Sequence, residues 1–147
     1  LVGKQNVNGN SKVPNDIINF IKKNNLENDV ILTDHLPNSD VIGLYSNALF
    51  FVFPSSDEGF GIPVLESFSN DLPLICSDIP IFREIADDNA FYFELENVDE
   101  LSNTMLKLII SKSKKRALIN KGRERLKYFS RKAFVKDFEN IIFQKII

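Results

Sequence analysis

The stretch Pro54-Ser55-Ser56-Asp57-Glu58-Gly59-Phe60-Gly61-Ile62-Pro63-Val64-Leu65-Glu66 decides how the rest of the chain is read. Before it runs Leu49-Phe50-Phe51-Val52-Phe53, short, aromatic and β-branched, which predicts a buried strand closing on Pro54. After Gly61 the pattern changes. Pro63 suits a first helical turn and Val64, Leu65 and Phe68 supply one apolar face, so the order is strand, glycine loop, helix start. The first amides of a helix lack intrahelical partners and carry a partial positive charge. With Gly59 and Gly61 allowing close approach to the backbone, the stretch is a candidate cradle for an anion.

Two carboxylates give the cradle its chemical character. Glu58 precedes the glycines and Glu66 lies about a turn inside the helix, with seven residues between them. Both are expected to face one crevice beyond the strand's carboxyl end. A carboxylate accepts through two oxygens and suits the vicinal hydroxyls of a sugar or ribose. An anion cradle flanked by two such acceptors suits a nucleotide sugar. Spacing alone also fits two surface glutamates around a helix start, and Gly59-Phe60-Gly61 has neither dinucleotide nor P-loop spacing.

The glutamate pair with its Gly-Phe-Gly-Ile-Pro-Val-Leu filling closely resembles the signature of retaining GT-B glycosyltransferases, group 1 or family 4, which build lipopolysaccharide, capsule and other glycans. The likeness extends over Leu44-Tyr45, Ala48, Pro54-Ser55, Leu72 to Ser77 and Arg83-Glu84-Ile85, and so over nearly the whole chain. It implies that residues 1–147 are the C-terminal, donor-binding domain: a Rossmann-like parallel α/β sheet flanked by helices, with a helical C-terminal segment. It also implies transfer, with retention, from a nucleoside-diphosphate sugar to a glycan or lipid-linked acceptor in the cytoplasm, without metal or cofactor.

Roles follow from the same resemblance. Glu58 would lie by the transferred sugar as the catalytic carboxylate, and Glu66 would hold the ribose hydroxyls. Main-chain groups of Gly59, Phe60 and Gly61 would meet the donor sugar, and those of Ile62, Val64 and Leu65 the diphosphate. Pro63 has no N–H to offer. Asp34-His35-Leu36-Pro37 falls where the family borders the nucleobase, so His35 and Leu36 are expected there, although the family usually has glycine in place of Asp34. A lone histidine in a loop is otherwise more simply a solvated residue, and with no other nitrogen or sulfur ligand nearby it argues no zinc site. The family's diphosphate-binding Arg and Lys belong to a segment earlier than Leu1-Val2-Gly3-Lys4, which looks like a strand end. The chain is therefore expected to be a fragment that lacks an N-terminal acceptor domain, binds the donor weakly and transfers nothing alone. A GT-B sugar-nucleotide epimerase, a glycan phosphorylase and a non-catalytic nucleotide-binding module are the alternatives; no lysine-bearing cofactor site speaks for the phosphorylase.

Composition bounds these readings. A chain of 147 residues, 44% hydrophobic and of net charge −2, suits one soluble globular domain and gives no sign of nucleic acid as a partner. Cys76, the one cysteine, lies in an apolar run and suits a reducing compartment as a small buried hydrophobe. No signal peptide or membrane-spanning stretch is read. The basic run from Lys112 to Lys132 has only Glu124 as counterweight. It could touch anionic lipid at the membrane's inner face, but no exposed apolar stripe is read beside it, so a solvated helical face is the simpler account.

In chain order, Gly3 to Ser11 is expected as a loop, and Pro14 opens a helix with Ile17, Ile18, Phe20 and Ile21 buried, ended by Asn24-Asn25. Val30-Ile31-Leu32 reads as a buried strand. Ser39 would cap a helix carrying Val41, Leu44, Tyr45 and Ala48. Beyond the central stretch, Pro73 to Cys76 is a buried strand, Pro80 starts a short helix through Ile85, and Ala90 to Phe93 returns to the sheet. From Val98 the chain is helical, with one stripe of Leu101, Met105, Leu108 and Ile109, a polar helix from Lys114 to Lys127, and a last stripe of Phe134, Phe138, Ile141 and Ile142. Alternation of strands and helices implies parallel pairing.

Overall fold

The computed structural model describes residues 6–7, 10–11, 15–33, 35–136 and 139. Leu1-Val2, Pro14, Asp34, Phe138, Ile141 and Ile142 lie outside them. The chain divides into two compact units, Leu1–Gly43 and Leu44–Ile147.

In the first unit, the stretch expected as a loop contains an antiparallel pair, β1 (Asn6–Val7) and β2 (Asn10–Ser11), with Asn6 opposite Ser11. The intervening sequence is Asn-Gly, the dipeptide favoured in two-residue hairpins. Helix α1 (Asn15–Lys23) buries only Ile21, and Phe20 is 62% exposed. Successive helical residues point about 100° apart, so Phe20 stands off the side shared by Ile17 and Ile21. The helix ends where Asn24-Asn25 predicts: Asn25 is left-handed, its N–H donates to the Lys22 carbonyl, and the Leu26 N–H donates to Ile21. Val30-Ile31-Leu32 forms no strand, and Ile31 is 74% exposed. The Val30 N–H donates to the Leu26 carbonyl at 2.9 Å, which draws the start of that run into the turn after α1.

Helix α2 (Asn38–Asn47) starts one residue before the expected cap. The Pro37 carbonyl accepts from Asp40 and Val41, while the Ser39 hydroxyl is engaged with the Asp40 carboxylate.

The second unit carries β3 (Phe51–Phe53), α3 (Ile62–Ser69), β4 (Leu74–Ser77), α4 (Pro80–Ala86), β5 (Phe91–Phe93), α5 (Val98–Ile110) and α6 (Lys112–Leu126). The strands are parallel in the order β3-β4-β5, with Val52 opposite Ile75 and Cys76 opposite Tyr92. Only the central strand is buried throughout. β3, expected to be buried, is an edge among the described residues; its three residues are half-buried and Leu49 before it is exposed.

Alternation along β4 sends side chains to two cores. Leu74 and Cys76 join Val64, Phe68, Phe82, Ile85 and Ala86 from α3 and α4, while Ile75 joins Phe93, Leu108 and Leu118 from β5, α5 and α6. Burial pushes the Cys76 thiol up to about 12, in keeping with an inert apolar filler. Of the predicted α5 stripe, Leu108 is buried and Leu101 and Met105 pack partly, but Ile109 is about half exposed; Phe134, from the last stripe, is exposed as well.

Candidate functional site

The loop from Pro54 to Gly61 leaves the carboxyl end of β3 and is fastened from the neighbouring strand. The fully buried Ser77 hydroxyl, at the end of β4, donates to the Ser55 carbonyl, and the Ser55 hydroxyl donates onward to the Asp57 carbonyl at 2.6 Å. Gly61 then turns the chain into α3 with φ 82°, a left-handed geometry that favours glycine. It is buried, and a side chain there would begin 3.4 Å from the Phe82 ring. Gly59 faces open space and is required by no contact of its own.

Pro63 lies in the first turn of α3, as expected. The Val64 N–H donates to the Gly61 carbonyl at 2.9 Å, so one of the three amides that the resemblance assigns to a diphosphate is already engaged within the protein. The side chains divide by position. Val64 is fully buried and Leu65 packs partly on the same core, which leaves only their main chain for a ligand, whereas Phe60 and Ile62 are exposed. The Phe60 ring stands edge-on to Phe129, 6.2 Å between centroids.

The two carboxylates have different surroundings. Glu58 is half-buried, and its Oε1 accepts from the next residue's N–H, Gly59, at 3.1 Å. Glu66 is exposed, and its Oε2 accepts from the Tyr45 hydroxyl of α2 at 3.2 Å. Burial, followed by the neighbouring Glu66 charge, raises the Tyr45 phenol above its ordinary range.

A second polar group stands beyond the carboxyl end of β4. Arg83 forks onto Asp78 with two 2.6 Å bonds and lies 3.7 Å over the Tyr92 ring. The hydrogen bond from Arg83 holds the Asp78 carboxyl below its usual range. Neither Ser77, Tyr45 nor this pair announces itself locally in the sequence, since each acts on a partner brought near by folding. In the first unit, His35 is exposed and Leu36 half-buried. Among the described residues, no group of three or more His, Cys, Asp or Glu side chains is placed to hold a metal ion.

The basic run is partly structural. Arg125 donates to the Glu84 and Ile85 carbonyls at the end of α4, at 2.6 and 3.0 Å, and Arg123 forks onto Asp71. Contrary to the sequence reading, exposed apolar residues do adjoin the remainder: Ile109 and Ile110 precede the exposed Lys112 and Lys114.

A three-stranded parallel sheet flanked by helices, with a glycine loop and helix start beyond its strand ends, defines an α/β domain of the kind whose open sheets take ligands at that end. Its fold is that of GT-B structures: TarM superposes with a TM-score of 0.74 at 21% identity, over 88% of this chain and 26% of TarM. The chain belongs to the family of glycosyl transferases group 1, whose profile matches residues 2–125. It is 32% identical over 96 residues to O-antigen chain mannosyltransferase B of Escherichia coli, covering 65% of this chain and 25% of that protein. With O-antigen chain mannosyltransferase RfbU of Salmonella typhimurium the identity is 51% over 49 residues, 33% of this chain and 14% of the relative. The chain thus spans a quarter or less of these two relatives.

Proposed function

We propose that this chain is the donor-binding domain of a retaining glycosyltransferase that uses a nucleoside-diphosphate sugar, working with an acceptor-binding domain outside it. The observation that carries the reading is the join at Gly61: a left-handed glycine delivers the Glu58 loop into the start of α3, with Glu66 one turn further on. In this reading the diphosphate lies at the helix start, where the Ile62 amide and the helix dipole oppose the charge that builds as the sugar leaves. Preorganised amides provide that stabilisation, and no resident metal or cofactor is required. Glu58 orients the sugar while its anomeric carbon becomes electron-poor. Glu66 holds the ribose.

The relatives named as O-antigen chain mannosyltransferases favour mannose as the transferred hexose, a growing glycan or lipid-linked acceptor, and transfer over epimerisation. A cytoplasmic site at the membrane's inner face fits the exposed Ile109, Ile110, Lys112 and Lys114; no described helix is long and apolar enough to cross a membrane. Calorimetric titration of the full-length protein with UDP, GDP and their sugars tests donor binding, and Glu66→Ala should weaken it. Unchanged affinity in that variant would remove the ribose assignment. The anomeric configuration of the product, read by NMR, decides retention.

A further inference from the structure

We infer that Tyr45 is a positioning residue for Glu66, holding one carboxylate oxygen so that the other stays turned toward the donor's ribose. The inference rests on the reading of Glu66 given above, and deepens it.

An exposed glutamate on a helix samples several rotamers, and a ligand that needs one of them must overcome that freedom. Glu66 is not left to sample. The Tyr45 hydroxyl donates to Oε2 at 3.2 Å, and a carboxylate with about four acceptor positions keeps Oε1 for a second donor. The phenol is itself held. Its ring stands edge-on to Phe51 with centroids 5.4 Å apart, Phe51 stacks on Phe53 at 5.6 Å, and Phe53 meets Phe82 at 4.8 Å. Phe82 is the fully buried ring against which Gly61 makes its left-handed turn.

One row of aromatic rings therefore runs from the residue that clamps Glu66 to the residue that shapes the glycine loop. It links the helix carboxylate and the helix start through the sheet and not only through α3. A phenol is protonated at neutral pH and a carboxylate is not, so the contact is a charge-assisted hydrogen bond with a fixed donor.

The experiment is a double-mutant cycle in the full-length enzyme, using Tyr45→Phe, Glu66→Ala and the double variant. Each is titrated with UDP or GDP, whichever the wild type binds more tightly, and with its 2′,3′-dideoxy analogue. Tyr45→Phe keeps the ring on Phe51, so Tm should stay unchanged while affinity for the ribose form falls about tenfold. The double variant should bind no more weakly than Glu66→Ala alone, and the dideoxy analogue should not register loss of the hydroxyl.

If Glu66→Ala weakens binding and Tyr45→Phe does not, the inference fails while the donor-site reading stands. Equal weakening by Tyr45→Phe with and without Glu66, or with the dideoxy analogue, also overturns it, because the tyrosine would then act through another group. If Glu66→Ala binds like wild type, or neither nucleotide binds, the reading of Glu66 falls and takes the inference with it.

Discussion

The two sides of α3 are treated differently by the fold. Its back, Val64, Ser67 and Phe68, is closed: all three are buried, the Ser67 hydroxyl donates to the Val64 carbonyl at 2.7 Å, and Phe68 lies against Gly122 of α6. Its front, Ile62 and Glu66, is exposed, with one long-range side-chain hydrogen bond, from Tyr45, on Glu66. One eight-residue helix thus fixes its position with one side and leaves polar groups accessible on the other. Substitutions on the two sides should therefore separate stability from activity.

The largest effect should come from the front. Glu58→Ala in the complete enzyme removes the carboxylate proposed to orient the sugar, and turnover should fall roughly a hundredfold. Urea denaturation should show little change, since this side chain is engaged locally, by the neighbouring Gly59 amide. Turnover within about threefold of wild type, a barrier change under about 1 kcal/mol, would erase the functional side of the comparison.

Next comes the back. A β-carbon on Gly122 would stand 2.8 Å from Cδ1 and 3.1 Å from Cγ of Phe68. Those atoms sit near the root of a buried ring and cannot swing aside as a flexible side-chain tip would. Gly122→Ala should therefore lose about 2 kcal/mol of unfolding free energy, with α3 and α6 forced apart. A helix-interior glycine replaced by alanine ordinarily gains somewhat under 1 kcal/mol, so a more stable variant would show that this contact relaxes freely. Gly61 stands where the two sides meet. Gly61→Ala should lose about 1 kcal/mol through the left-handed φ of 82° and also weaken donor binding, the one substitution here expected to move both readouts.

What was legible in the sequence follows the same division. The loop, Pro63 in the first helical turn, the buried run Leu74 to Cys76 and the return at Phe91 each rest on local composition, and each is found. Val30-Ile31-Leu32 fails as a strand because three apolar residues do not specify pairing, and Phe20 fails as core because a short helix can cover only part of its circumference. The clamp on Glu66 was not legible: Tyr45 precedes it by 21 residues and looks like one more apolar position of α2. Ser77 is likewise a plain strand residue until its hydroxyl is seen to reach the loop after β3.

The smallest effect concerns how the back is fastened at its far end. Asp71, left-handed just past α3, takes the Arg123 guanidinium of α6 in a forked pair, with both side chains about half exposed. The hydrogen bond from Arg123 lowers the Asp71 carboxyl in the folded protein below its unfolded value of about 3.9. A depressed folded value means that the stabilising contribution is complete above about pH 4 and disappears as pH falls through the lowered value. Asp71→Asn has no such titration. The difference in urea midpoint between wild type and this variant should be small and constant above pH 5, where solvent screens the pair, and should close on acidification toward pH 2. A difference that persists at pH 2, where the carboxylate is protonated, would come from something other than the ion pair with Arg123 and would remove the electrostatic account of this fastening.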